Sequence, residues 1–335
     1  MLPQVETSLL DPLQIGVSLP LSGTYYPGGF AVSLATNSQD VLDAAAECWG
    51  ESKQEFAIEP VQIRVVVQPE GSLSPEPTFR CQRHLLAIVG DADNFAIADL
   101  DRLFGFLLVS SQTAADHRWL RWFFLEAVVY SLLAQRHVVP VHAACIVRNG
   151  AGVLLCGSSG AGKSTLSWAC ARSGWTFIAD DCTWLLAGST DHEAIGRPER
   201  ARFRPDAVTL FPELAGLIER ARPNGKVCME VPLKAFPEIE TESRCTVRCL
   251  AFLDRGPFSP SLRKLAAREA LELLLRDRPT YGPQTDKIHE EAFRTLASLP
   301  SHRLRYKTLM EGRNLLTSLI DRCGTAFDEL GEPLA

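Results

Sequence analysis

The run Gly157-Ser158-Ser159-Gly160-Ala161-Gly162-Lys163-Ser164 has the spacing of a phosphate-binding loop, Gly-x-x-x-x-Gly-Lys-Ser. The residue types state the chemistry. Glycines let backbone N–H groups turn inward on phosphate oxygens, and the N-terminus of the following helix adds partial positive charge behind them. Lys163 supplies a full charge. Ser164 is the expected ligand to magnesium, with Thr165 a less favoured substitute. ATP or a close relative with Mg2+ is implied.

Further along stand Asp180 and Asp181. In an extended segment adjacent side chains point to opposite sides, which suits one acid as a metal-side ligand and the other as a base. They could be ordinary strand-end acids, but beside phosphates two carboxylates repel unless magnesium or a proton compensates. His142 is a candidate to hydrogen-bond an acid, a phosphate or the incoming nucleophile, although a histidine in an apolar strand is often a satisfied core residue. Arg197, Arg200, Arg202 and Arg204 could grip a phosphate or an acidic acceptor through the guanidinium fork. Alternation puts Arg200, Arg202 and Arg204 on one face, where a merely solvated strand would also put them. Lys226, in Pro-Asn-Gly-Lys, is a weaker candidate.

The elements around these residues must bring them together. An apolar run over 138–147, Asn149-Gly150, a second run over 153–156, the glycine loop, a helix over 162–172 stopped by Ser173-Gly174, and a strand over 176–179 form a βαβ unit. Its strands run parallel, so Asp180 and Asp181 emerge at the sheet edge that carries the loop. Asn149-Gly150 is a two-residue hairpin signal. If Arg148 pairs with Ala151, counting back sets His142 opposite Gly157. A one-residue slip, conceivable beside Gly152, turns the histidine to the other face.

His142 in Val-His-Ala-Ala, the loop Gly-Ser-Ser-Gly-Ala-Gly-Lys-Ser-Thr and the early Ala-Asp-Asp resemble the catalytic domain of HPr kinase/phosphorylase and its serine-kinase relatives, over roughly residues 138–253. The acids end the very next strand, as in those kinases and the related phosphoenolpyruvate carboxykinases. The resemblance implies an α/β fold with a P-loop domain of that type. It implies an ATP-dependent kinase acting on a hydroxyl, with a serine of a protein or peptide, or a small molecule such as free serine, as acceptor. It carries the base over to Asp180 and the magnesium contact to Asp181, an order that could be reversed, with His142 tuning the base. Relatives are often oligomeric, so a homo-oligomer is an expectation of the same kind. The family's Glu-Ile-Arg-Gly signature is absent; the comparable stretch reads Gly196-Arg-Pro-Glu-Arg-Ala-Arg-Phe-Arg-Pro-Asp, which puts the phosphorylase activity in doubt.

The remaining sequence sets the bounds. With 335 residues the chain can bury two cores, and at 46% hydrophobic and 22% charged it has ordinary globular composition. We expect an α+β N-terminal region over 1–137, the catalytic domain over 138–325, and a tail over 326–335. In the first, strands are expected over 13–19, 30–34, 61–67 and 84–89, then a core helix over 119–135 that Arg121 and Glu126 make too polar to span a membrane. Later, a strand is expected over 247–253, helices over 262–276 and 287–296, a strand over 303–307 and a helix over 312–322. Net charge −6 with mixed signs offers no field for nucleic acid. The ten cysteines are scattered, and Cys245 with Cys249 lacks the partners of a zinc site. The start shows no secretion signal, so the cytoplasm is expected. The rival from another class is a nucleotide-dependent switch that binds without transfer.

Overall fold

The computed structural model describes residues 16–221, 225, 227–276, 278 and 283–324. Lys226 and the tail over 326–335 lie outside them. The chain divides into two compact units, Met1–Arg136 and His137–Ala335.

In the first unit the elements are β1 (Leu21–Tyr25), β2 (Val32–Thr36), α1 (Gln39–Trp49), β3 (Val61–Gln68), β4 (Thr78–Gln82), β5 (Leu85–Val89), β6 (Phe95–Asp99), β7 (Phe104–Ser110), α2 (Ser111–Ala115), α3 (His117–Leu120) and α4 (Glu126–Leu133), with a π-helical turn Arg121–Leu125 before α4. They form one seven-stranded sheet in the order β1-β2-β3-β7-β6-β5-β4. Its centre, β2, β3 and β7, is parallel. Helix α1 makes the crossover between β2 and β3, burying Val41, Ala44, Ala45 and Trp49 at helical spacing. The helical stretch expected over 119–135 is present. The strand expected over 13–19 is not: its described part is turn and unpaired chain, and pairing begins at Leu21. The next strand starts at Val32 rather than at residue 30 because Pro27–Gly29 form a tight 3-10 turn.

The second unit contains β8 (Val138–Val141), β9 (Ala143–Arg148), β10 (Ala151–Cys156), α5 (Lys163–Ala171), β11 (Thr176–Ala179), β12 (Thr183–Leu186), β13 (Glu193–Ile195), β14 (Arg200–Phe203), β15 (Glu219–Ala221), β16 (Val227–Pro232), β17 (Arg244–Arg255), β18 (Ser261–Lys264), α6 (Ala267–Arg276), α7 (Pro283–Ala297), β19 (Ser301–Tyr306) and α8 (Leu309–Gly324). The main sheet runs β11-β9-β10-β17-β13-β12-β8, and β19, flanked by β18, also pairs with β17. Strands β10, β17 and β19 are parallel. Buried on both faces, β10 and the middle of β17 read as continuous apolar runs, as parallel strands between helical layers do. On one face Leu154, Leu250 and Phe252 pack with Leu274 of α6 and Phe293 of α7. On the other, Leu155, Ala251 and Leu304 pack with Leu166 of α5 and Leu316 of α8. A small sheet, β14-β16-β15, lies against Trp168 on the outer side of α5. The helix expected from residue 262 starts later, because Ser261–Lys264 is instead a strand laddered to β19.

Candidate phosphate-binding site

The hairpin sets the register on which the site depends. Asn149 and Gly150 have φ of 51° and 74°, the left-handed pair of a two-residue turn, and Arg148 faces Ala151. The ladder continues to Ala143 opposite Cys156, so His142 falls beside Gly157. The irregularity at Gly152 falls on its other neighbour: a Cβ there would stand 2.6 Å from the Thr246 carbonyl oxygen of β17, and β17 takes up a bulge between Gly152 and Val153. Strands β10 and β11 both run antiparallel to β9 and therefore point the same way. The turns after Cys156 and after Ala179 open at one sheet edge.

Three glycines bend the loop. Gly157, Gly160 and Gly162 have φ of 152°, 89° and 95°, which other L residues adopt only with strain. Gly162 caps α5, and Lys163, its first residue, folds back so that Nζ donates to the carbonyl oxygens of Gly157 at 2.8 Å and Ser158 at 3.3 Å. The lysine side chain is only 4% exposed, so these acceptors and the Asp181 carboxylate, 3.7 Å away, hold a buried charge. Ser158, Ser159 and Gly160 form the exposed rim, while Ala161 is half-buried and packs toward the α5 core.

The acid pair is divided as alternation requires. Asp181 is half-exposed, and its Oδ1 lies 3.0 Å from His142 Nε2. Asp180 is buried; its Oδ2 accepts the Arg202 backbone N–H at 2.7 Å, and its carbonyl oxygen accepts Ser164 Oγ at 3.3 Å. His142, Lys163 and Asp181 thus meet in one cluster, with Ser164 against Asp180. Thr165 follows on the first turn of α5.

The arginines are not equivalent. Arg200 and Arg202 share Glu230 of β16, at 3.7 Å and 3.2 Å, which neutralises part of their charge. Arg204 is exposed, and its Nη2 would lie 3.8 Å from a Cβ on Gly160, so it flanks the loop rim. Two neighbours of the loop escaped sequence reasoning. A Cβ on Gly162 would stand 3.1 Å from the Tyr306 hydroxyl and 3.7 Å from Arg255 Cδ. Burial pushes the Tyr306 phenol up to about 12, with the Arg255 charge working against it, so this hydroxyl keeps its proton. Neither residue sits in a recognisable motif; only the register of β17 and β19 brings them here.

The donor set fits magnesium on a nucleotide. A hydroxyl and one or two carboxylates beside a phosphate loop are what this ion takes from a protein when phosphates and water fill its other positions. No helix among the described residues is long and apolar enough to cross a membrane.

Comparison with known proteins gives three findings. The family model described as SynChlorMet cassette protein ScmC matches residues 108–205, a stretch that holds His142, the glycine loop, the acid pair and Arg204. No curated protein matches the chain. Among solved structures, the chain is similar to the HPr(Ser) kinase/phosphatase from Coxiella burnetii, at 14% identity and a TM-score of 0.32, over 55% of this chain and 98% of that one.

Proposed function

We propose that the chain is an ATP-dependent kinase that transfers the γ-phosphoryl group to a hydroxyl, that of a serine in a protein or peptide. Residues 138–325 are its P-loop domain, of the HPr kinase and phosphoenolpyruvate carboxykinase type. The observation that carries the proposal is the contact of His142 with Asp181 immediately beside Lys163. A nucleotide switch needs a phosphate grip. It does not need an open carboxylate paired with a histidine at the end of that grip, whereas a hydroxyl acceptor must lose its proton there.

In this reading the loop amides and Lys163 bind the phosphates and meet the charge that grows on the departing ADP. Ser164 and one of the two acids would hold magnesium, which would supply neutralising charge to the phosphates. The acceptor oxygen forms its bond to the γ-phosphorus as the bridging P–O bond breaks, and that electron pair leaves with ADP. The hydroxyl proton passes to the acid pair. The half-exposed Asp181, backed by His142, supports the reversed order of the two acids, in which Asp181 takes the proton and Asp180, whose main-chain carbonyl accepts Ser164 Oγ, serves the metal. The other order has one observation in its favour, the 3.7 Å approach of Asp181 to the Lys163 ammonium. Arg204 at the loop rim adds to the positive surround. Such an enzyme works where ATP is abundant, so the cytoplasm is the proposed compartment.

The test is incubation with γ-labelled ATP and an extract of the source cells, followed by identification of the labelled species. Label on a serine, lost with Lys163→Met, is the expected result. Magnesium-ATP binding with no labelled peptide, protein or hydroxylated metabolite would instead make the chain a switch.

A further inference from the structure

Strand β17 outruns its neighbour. Its partner β10 ends at Cys156, opposite Phe252, and β17 then continues through Leu253, Asp254 and Arg255 alongside the glycine loop. The loop follows it closely: a Cβ on Gly157 would meet the Leu253 carbonyl oxygen at 3.5 Å, and one on Gly162 would meet Arg255 Cδ at 3.7 Å. Side-chain alternation sorts this extension. Leu253 belongs to the core under α5 and α8, so Arg255, two residues on, faces the side that carries the loop and the start of α5. Asp254 faces the other way and binds Arg305 at 2.9 Å, so the nearest carboxylate is occupied elsewhere.

Arg255 is left exposed, and among the described residues no carboxylate pairs with it. Opposite it on β19 stands Tyr306, fully buried, whose hydroxyl points to the same glycine and has no hydrogen-bond partner among the described residues. A cation therefore flanks the loop on the side away from His142 and the acids.

We propose that Arg255 is a further phosphate-binding cation of this site, gripping the nucleotide's phosphate chain across Gly162 while Lys163 holds it from within. The inference rests on the reading of the loop as a nucleotide site. It assigns Arg255 a binding role, so its loss weakens nucleotides carrying two or three phosphates.

The experiment is equilibrium binding of magnesium-ATP and magnesium-ADP to the full chain and to Arg255→Gln, Arg255→Lys and Arg268→Gln. The last removes one charge from an exposed site on α6, where Arg268 pairs with its helix neighbour Glu272. Arg255→Gln is expected to weaken both nucleotides about tenfold and to flatten the salt dependence of binding, with an unchanged melting temperature of the free protein. Arg255→Lys should lose less, since it keeps charge but not the fork. Wild-type affinity in Arg255→Gln, or an equal loss in Arg268→Gln, overturns the inference and leaves the phosphate loop standing. If the wild-type chain binds neither nucleotide, the site reading falls and this inference with it.

Discussion

At the scale of single residues, the two adjacent acids differ in what they touch. Asp180 is buried against Ser164 and the Arg202 backbone, and Asp181 is open toward His142 and Lys163. The proposed roles separate in a magnesium titration of the transfer rate. Asp180→Asn should raise the half-saturating magnesium concentration, whereas Asp181→Asn should lower the rate at saturating magnesium by about 100-fold or more. A shift confined to Asp181→Asn would return the acids to the opposite order. The loop, the acids and the histidine were legible in sequence because local signals fix them: glycine spacing, strand ends, and a two-residue turn that sets the register. Arg200 and Arg202 were not legible as a pair held by Glu230, because that contact depends on the pairing of β14 with β16 across a long connection. Arg255 and Tyr306 were invisible for the same reason.

At the scale of elements, the phosphate loop is a strand-to-helix turn whose shape depends on glycine. Gly162 combines a φ of 95° with a hydroxyl 3.1 Å from its Cβ position. Gly162→Ala is therefore expected to cost about 1–2 kcal/mol in the left-handed backbone alone, read as a lower denaturation midpoint, together with loss of nucleotide binding. An unchanged midpoint with intact binding would refute this account of the turn. Strand β19 carries a pH-dependent element. Burial first, then the charges of Lys264 and Arg322, hold the His302 imidazole below its ordinary pKa of 6.5. The unfolded chain gains this proton near pH 6.5 and the folded chain only at lower pH. Stability from His302 is thus whole above that value and declines as pH falls below it. Urea midpoints measured at about pH 7.5 and about pH 5.5 should drop less in His302→Gln than in wild type; equal drops would remove His302 as a cause. The start of the β18 region misled the sequence argument because Ser261–Lys264 borrows its strand pairing from β19, a partner far along the chain.

At the scale of the whole molecule, every proposed site residue lies in the unit His137–Ala335, which has its own sheet and two helical layers. Expressed alone, residues 137–335 should fold and bind magnesium-ATP within about threefold of the full chain, a difference well under 1 kcal/mol. Failure to fold, or much weaker binding, would contradict the independence of the second unit. The seven-stranded sheet of that first unit was the least legible part of the fold. Its individual strands have local patterns, but its order is set by long-range pairing such as β3 with β7. The central claim is that the second unit moves a phosphoryl group rather than only holding nucleotide. It is tested most directly by following γ-label from ATP into acceptor with wild-type protein and Asp181→Asn, while measuring magnesium-ATP binding in both. Binding within about threefold and transfer at least about 100-fold slower in the variant are expected; transfer at the wild-type rate in Asp181→Asn, or none in either protein, would contradict phosphoryl transfer by this site.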